Sequence, residues 1–178
     1  MTADESVEGD ADVPRPGRRR AGARTDRLLT MREVVFALEF KGTAGSVPGS
    51  PSKRQARSTA PSQTLSTVLG ADGVRARIEP GAGERAVLES RVERFDDGSF
   101  VEDGTITYGS AGSVSFETLG RGRVGPAPVP GWVVGGVVWT ITRGDGAFAG
   151  AQGVITSNFT VSTDGVVIDH HVTRLYLP

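Results

Sequence analysis

The stretch Arg143-Gly-Asp-Gly-Ala-Phe-Ala-Gly-Ala-Gln-Gly153 lies between two runs rich in Val, Ile and Thr, and it decides the fold class. Its glycines tolerate positive φ and close backbone approach, which a tight connection between two strands requires. They surround a single aromatic residue, Phe148. This combination predicts a corner of a β-barrel.

Hydrophobic residues recur with a period of two on both sides of this corner. Val34, Phe36, Leu38 and Phe40 alternate with mostly more polar neighbours, which predicts a first strand with one apolar face. Turns of the Asp-Gly type predict hairpins around residues 72, 97 and 164. The further strands are predicted at about 62–69, 73–79, 86–95, 99–107, 113–120, 132–143, 152–162 and 166–177.

Two segments rich in Gly and Pro, residues 42–61 and 120–131, are predicted to be irregular loops. No helical period is sustained after residue 32. The sequence therefore predicts an all-β fold of eight or nine antiparallel strands. Short turns favour closure into a barrel, because closure removes exposed strand edges. The interior of an eight-stranded barrel is filled by side chains or holds one small ligand.

Composition limits the classes of function. The chain has 178 residues, with 20 basic and 21 acidic residues and a net charge of −1, so no global field recruits nucleic acid or an anionic membrane. The absence of Cys excludes disulfides and Cys-based zinc sites and fits a reducing cytoplasm. No apolar run approaches the roughly 20 residues that span a bilayer. We expect a cytoplasmic protein.

Residues 1–30 differ from the rest of the chain. An acidic block is followed by six arginines, and aliphatic residues are almost absent before Leu28. Such a segment buries too little apolar surface to offset its ordering entropy alone. The sequence predicts a charged extension at 1–30 and a barrel domain at 31–178. The extension is interpreted either as a frayed tail or as a segment that orders against something else.

Familiar catalytic patterns are missing. The only histidines, His170 and His171, are adjacent on a predicted strand and point to opposite faces, so a nucleophilic triad has little to be built from. Asp169 shares a face with His171, and this pair is interpreted as solvated strand exterior rather than as part of a metal site. No nucleophile elbow, phosphate loop or dinucleotide fingerprint is present. We expect neither a cofactor nor a metal.

Residues 132–178 resemble the allene oxide cyclase-like barrels. The resemblance is carried by the Gly-rich connection, by Val154-Ile-Thr-Ser-Asn-Phe-Thr-Val161 and by Arg174-Leu-Tyr-Leu-Pro178. Within that superfamily, a chain with a long charged N-terminal extension is similar to the spirotetramate- and spirotetronate-forming cyclases, the pyrroindomycin-type Diels-Alderases. The resemblance implies an intramolecular [4+2] cycloaddition of a linear polyene tetramate or tetronate in antibiotic biosynthesis, without a cofactor, in a homodimer.

A cycloaddition needs no nucleophile, because its barrier falls when a cavity holds the substrate in a folded conformer. A donor aimed at the dienophile carbonyl adds polarisation, and Gln63, Tyr108 and Asn158 are candidates. Glu39 resembles the acidic residue on the first strand of the plant cyclases. Leu28 and Leu29 are predicted to dock a lid on the barrel mouth. The remaining candidate substrate-binding residues are Phe116, Trp132, Trp139, Thr140 and Phe159.

Two other functions remain open on the sequence. The first is a non-catalytic barrel that sequesters a small apolar metabolite. The second is an interaction module whose Arg-rich extension docks an acidic partner. An apolar barrel without cofactor motifs favours the cyclase and the metabolite-binding barrel over the interaction module.

Overall fold

The computed structural model describes residues 31–178, which form eleven strands and one turn of 3-10 helix, Gly109–Ala111. The charged extension, with Leu28 and Leu29, lies outside the described residues. No helix within residues 31–178 is long and apolar enough to cross a bilayer. The strands are β1 (Arg32–Val47), β2 (Ser50–Ala60), β3 (Gln63–Gly70), β4 (Gly73–Pro80), β5 (Ala86–Arg94), β6 (Ser99–Tyr108), β7 (Gly112–Thr118), β8 (Gly122–Pro126), β9 (Trp132–Gly146), β10 (Gln152–Ser162) and β11 (Val166–Leu177).

Eight strands of this described part close into an antiparallel barrel. The order around the ring is β1, β2, β5, β6, β7, β9, β10 and β11, and β11 pairs again with β1. β8 lies outside the ring and pairs with β9 and with the beginning of β6. The predicted all-β, eight-stranded antiparallel barrel is confirmed.

β3 and β4 form a separate two-stranded sheet outside the barrel. The predicted turn of this hairpin is confirmed, and Gly73 there has φ 99°. A 2.6 Å hydrogen bond from the Gly81 N–H to the Ser62 carbonyl closes the base of the hairpin. Near its tip Leu69 and Val74 are largely exposed. The hairpin therefore adds little to the barrel core.

The prediction of a long loop at residues 42–61 is wrong. β1 and β2 occupy this segment, and only the turn at Pro48 and Gly49 separates them. Gly42 lets β2 pass closely, because a Cβ at that position would lie 2.1 Å from the Arg57 carbonyl oxygen. The Gly and Pro residues thus mark a turn and a close approach of two paired strands rather than an irregular loop.

The loop predicted at residues 120–131 also contains a strand. β8 pairs with β9, and Val124 lies opposite Gly135 in the register. Gly135 has no Cβ to obstruct this approach, since one would lie 2.6 Å from the Arg123 carbonyl oxygen. A short strand of this kind is hidden in sequence by its flanking Gly and Pro.

The core lies inside the barrel and comes from inward-facing positions of the ring strands. Phe116 stacks on Trp139 with ring centroids 4.2 Å apart, and both side chains are buried. Burial of apolar side chains such as these is the main favourable contribution to the free energy of folding. The other large buried apolar side chains are Phe40, Leu88, Phe100, Ile106, Val114, Ile155 and Leu175.

The Gly-rich connection forms the predicted corner between β9 and β10. Hydrogen bonds from Phe148 N–H to the Asp145 carbonyl and from Ala151 N–H to the Phe148 carbonyl make successive tight turns. The Phe148 ring then packs against Tyr108 at a centroid distance of 5.0 Å. The corner therefore ties β10 to the core as well as turning the chain.

Candidate functional site

A cavity of about 750 Å³ occupies one end of the barrel lumen. Its mouth is surrounded by the end of β1, the start of β2, the end of β5, the start of β9 and the turn between β10 and β11. Deeper in the lumen its wall includes two carboxyl groups. The wall includes the side chains of Arg54, Arg94, Glu102, Trp132, Phe159 and Asp169.

Glu102 places a carboxylic acid on this wall. It lies on β6 in the inward-facing phase that also carries Phe100, and it is buried. Burial raises the pKa of its carboxyl group to about 8, and the negative charge of Asp169 adds to the rise. The Ser90 hydroxyl and the Trp139 indole N–H oppose this rise, although neither stands at direct hydrogen-bonding geometry. At neutral pH Glu102 is therefore mainly protonated and offers an O–H donor.

Asp169, the second carboxyl group on the cavity wall, belongs to a buried hydrogen-bonded group. The Ser157 hydroxyl on β10 lies 2.8 and 2.9 Å from the two carboxyl oxygens of Asp169. His171 Nε2 lies 2.9 Å from the Asp169 Oδ2 atom. All three side chains are buried, so these contacts hold the carboxyl group in one orientation.

Aromatic rings enclose His171. The Phe40 ring lies 4.5 Å from the imidazole, centroid to centroid, and Trp139 meets it edge-on at 5.0 Å. Its second ring nitrogen, Nδ1, is buried and has no hydrogen-bond partner among residues 31–178. The imidazole is thus fixed by packing on its faces and by Asp169 at one nitrogen.

The order of this group does not suit nucleophilic catalysis. In a triad the imidazole lies between the hydroxyl and the carboxylate and removes the hydroxyl proton. Here Asp169 lies between Ser157 and His171, so the hydroxyl donates to the carboxyl group instead. Within the described chain, no three His, Asp or Glu side chains converge as metal ligands would. The group positions Asp169 and supplies no activated nucleophile.

The interpretation of Asp169 and His171 as strand exterior is wrong. In the pairing of β11 with β1, Asp169 is opposite Phe40, and both residues face the lumen. The opposite phase of β11 is also largely apolar, and it includes the exposed Val172. Hydrophobic alternation alone therefore did not decide which face of β11 is inside. The prediction that His170 and His171 point to opposite faces is confirmed.

A second cavity of about 300 Å³ lies at the other end of the barrel. Phe36, Leu38 and Tyr108 are part of its wall. Burial raises the pKa of Tyr108, and the Thr173 hydroxyl, which has no direct hydrogen-bond partner in the described chain, opposes the rise. Tyr108 also packs edge-on against Phe36. This candidate catalytic residue therefore lies at the opposite end from the larger cavity.

Two of the candidate catalytic residues lie on the outer face of the barrel. Glu39 follows the inward-facing Leu38, and its carboxylate contacts Lys41 Nζ at 2.7 Å and His170 Nε2 at 3.1 Å. Asn158 is exposed and is in register with His170. Neither side chain is among those that line the larger cavity.

Gln63 and Thr140 are also away from the larger cavity. Gln63 begins β3, in the hairpin outside the barrel, where its Nε2 is buried without a partner in the described residues. Thr140 follows the inward-facing Trp139 on β9 and so points outward. The structure brings the aromatic candidates together instead: Trp132 and Phe159 line the cavity, and Phe116 and Trp139 pack deeper.

Sequence reasoning missed Glu102, although the sequence held a signal for it. On β6 the apolar phase contains Phe100, Ile106 and Tyr108, and Glu102 falls in the same phase. A carboxyl group in the inward phase of a strand is costly to bury and therefore indicates a functional group. Ser157 falls in the same way between Ile155 and Phe159 on β10.

No family model matches this chain, and neither a curated protein nor a solved structure matches it. The geometry of the lumen is therefore the basis for assigning a function.

Proposed function

We propose that this chain is a cofactor-independent cyclase that promotes an intramolecular [4+2] cycloaddition of a linear polyene tetramate or tetronate. The observation that carries the proposal is the cavity of about 750 Å³ with the protonated Glu102 carboxyl group on its wall. The resemblance of residues 132–178 to the allene oxide cyclase-like barrels supplies the reaction class.

The size of the lumen supports a small-molecule substrate. Binding sites for drug-sized molecules generally measure about 300–1,000 Å³ and bury most of the ligand. Trp132, Phe100 and Phe159 contribute aromatic surface to this cavity. A conjugated chain folded between such rings leaves water and gains contact area. Confinement of this kind favours the compact conformer from which diene and dienophile react.

Glu102 supplies the polar part of the mechanism. A cycloaddition transfers no proton overall, so the enzyme needs a donor that stays in place rather than an acid that is consumed. The neutral carboxyl group donates a hydrogen bond to the carbonyl conjugated to the dienophile and withdraws electron density from it. Asp169, held by Ser157 and His171, helps to keep the proton on Glu102.

The proposal also includes a cellular location and an oligomeric state. We place the enzyme in the cytoplasm, where the absence of Cys carries no cost in stability. We also propose a homodimer, as the resemblance implies. Sedimentation of the purified chain at micromolar concentration measures the second point directly.

The test is incubation of the purified chain with a linear tetramate or tetronate polyene, followed by mass spectrometry and chromatography. We expect a product of unchanged mass and shifted retention time.

Glu102→Leu removes the donor and should lower the rate roughly 100-fold, the scale for loss of one carbonyl-directed donor. Glu102→Gln keeps an N–H donor and should retain much more of the rate. Asn158→Ala, which changes an outward-facing side chain, serves as the control and should match the wild type.

Each contrary result has a distinct meaning. Saturable binding of substrate and product alike, with no rate enhancement over buffer, would identify a passive metabolite-binding barrel instead. A wild-type rate in Glu102→Leu would leave confinement as the whole mechanism and remove the proposed donor.

A further inference from the structure

We propose that Arg54 and Arg94 form an anion-binding rim at the mouth of the lumen, which selects ligands with an oxyanion head group on an apolar body. This inference rests on the proposed function only in taking the lumen as the ligand site. It concerns two residues that the cycloaddition mechanism does not use.

The positions of the two arginines place both guanidinium groups at the same opening. Arg54 on β2 is in register with Val92 on β5, and Arg94 lies two residues further along β5. Residues two apart on a strand share a face, so the arginines are diagonal neighbours on adjacent strands. Both line the cavity.

Neither arginine is neutralised by a carboxylate in the described chain. The ion pairs there include the outward-facing Arg57, which contacts Glu89, but neither Arg54 nor Arg94. Arg54 Nη1 instead donates to the Pro51 and Lys53 carbonyl oxygens, which holds the guanidinium in place.

Asp164 is the acidic side chain at the mouth, and it forms no ion pair within residues 31–178. Among the described residues at the mouth, two arginines against one aspartate give a positive excess. A guanidinium group binds carboxylate and enolate oxygens through charge-assisted hydrogen bonds, which are stronger than neutral ones.

The spacing allows one small molecule to reach both the rim and the donor. Arg54, Val92 and Glu102 lie in one row of cross-strand pairs on β2, β5 and β6. Two strand spacings therefore separate the backbones of Arg54 and Glu102, about 10 Å. A ligand that contacts both side chains has its ionised head at the mouth and a neutral carbonyl acceptor deeper in the lumen.

Two dyes of nearly the same shape test the rim without knowledge of the natural ligand. Anilinonaphthalene sulfonate is anionic, and phenylnaphthylamine is its neutral counterpart, and both fluoresce in apolar cavities. The wild-type chain should bind the sulfonate more tightly. The double variant Arg54→Gln/Arg94→Gln should bind it at least about tenfold more weakly, with little change for the neutral dye. Arg57→Gln is the matched control on the outer face of β2 and should change neither affinity.

The outcomes separate the rim from the proposed function. Equal affinities of the double variant and the wild type for the sulfonate would overturn the rim and leave the lumen intact. Binding of neither dye by the wild type would remove the lumen as a ligand site, and the cyclase proposal with it.

If the glutamine double variant binds neither dye, the double variant Arg54→Lys/Arg94→Lys separates loss of charge from loss of packing, because it keeps both positive charges and both aliphatic stems. This variant should retain most of the preference for the sulfonate. Binding of the neutral dye without that preference would overturn the rim.

Discussion

Two buried carboxyl groups share the lumen, and they differ in how their oxygens are satisfied. Asp169 accepts hydrogen bonds from Ser157 and lies against His171. Glu102 has Ser90 and Trp139 nearby but at no direct hydrogen-bonding geometry. Burial raises the pKa of Glu102, and the negative charge of Asp169 adds to this rise. The neighbours of Asp169 therefore contribute to the donor character of Glu102 from a distance.

The raised pKa of Glu102 makes stability depend on pH. Below its ordinary pKa of 4.5 this carboxyl group is protonated in both the folded and the unfolded chain. Between there and about 8 the folded chain keeps a proton that the unfolded chain has released. Stability from this group therefore falls as pH rises through that window, by at most about 1.4 kcal/mol per pH unit.

Glu102→Gln, which cannot ionise, should remove this part of the pH dependence. The measurement is the difference in free energy of unfolding between variant and wild type from about pH 4 to about pH 8.5, a range that brackets the window of the shifted carboxyl group. We expect the difference to grow in favour of the variant as pH rises. Parallel curves for the two proteins would show that Glu102 titrates normally.

At the level of strands and turns, the β9–β10 connection holds a corner of the barrel through one close contact. A Cβ on Gly144 would lie 1.8 Å from the Phe148 carbonyl oxygen, which belongs to the turn itself. That oxygen accepts the Ala151 N–H, so the turn cannot shift without losing a hydrogen bond. Gly144 therefore fixes where β10 begins.

Gly144→Ala should lower the free energy of unfolding by about 2 to 3 kcal/mol, in the upper part of the usual range for single substitutions. Gly125→Ala is the control, because a Cβ there meets nothing within 4 Å and its φ is not positive. Chemical denaturation of both variants measures the comparison. Equal stabilities would mean that the corner adapts to the extra methyl group.

The strands and hairpins were largely predictable from sequence, because alternation and Asp-Gly turns are local signals. The prediction of β1 from Phe36, Leu38 and Phe40 is confirmed by the burial of that face. The strand structure of residues 42–61 was not predictable in the same way. Glycine is taken to interrupt a strand unless the neighbouring strand that approaches it is known. The lumen-facing Asp169 was hidden for a related reason: which face of β11 is inside depends on its pairing with β1.

At the scale of the whole molecule, the ring closes entirely between strands that begin after residue 31. β1 and β11 pair over twelve positions, from Arg32 opposite Leu177 to Thr43 opposite Val166. Every strand of the barrel therefore has both neighbours within the described chain. The extension at 1–30 is not required to complete the sheet.

A chain that begins at Met31 should fold with a thermal midpoint within roughly 2–4 °C of the full chain, the shift that about 1 kcal/mol produces at this size. Circular dichroism melting of both chains measures this. Removal of β11 is the opposite control and should abolish cooperative unfolding, because that strand joins β1 to β10. A much larger loss in the chain starting at Met31 would make the extension part of the core.

Pairing of the first strand with the last also constrains the order of events during synthesis. Asp169 and His171 belong to β11, so the ribosome makes these two lumen-facing side chains after the other ten strands. Nascent chains that lack β11 hold an open sheet with two unpaired edges, a form that is exposed to aggregation until β11 emerges. Contacts this distant along the chain also form slowly. The closed lumen therefore forms only after β11 has left the ribosome.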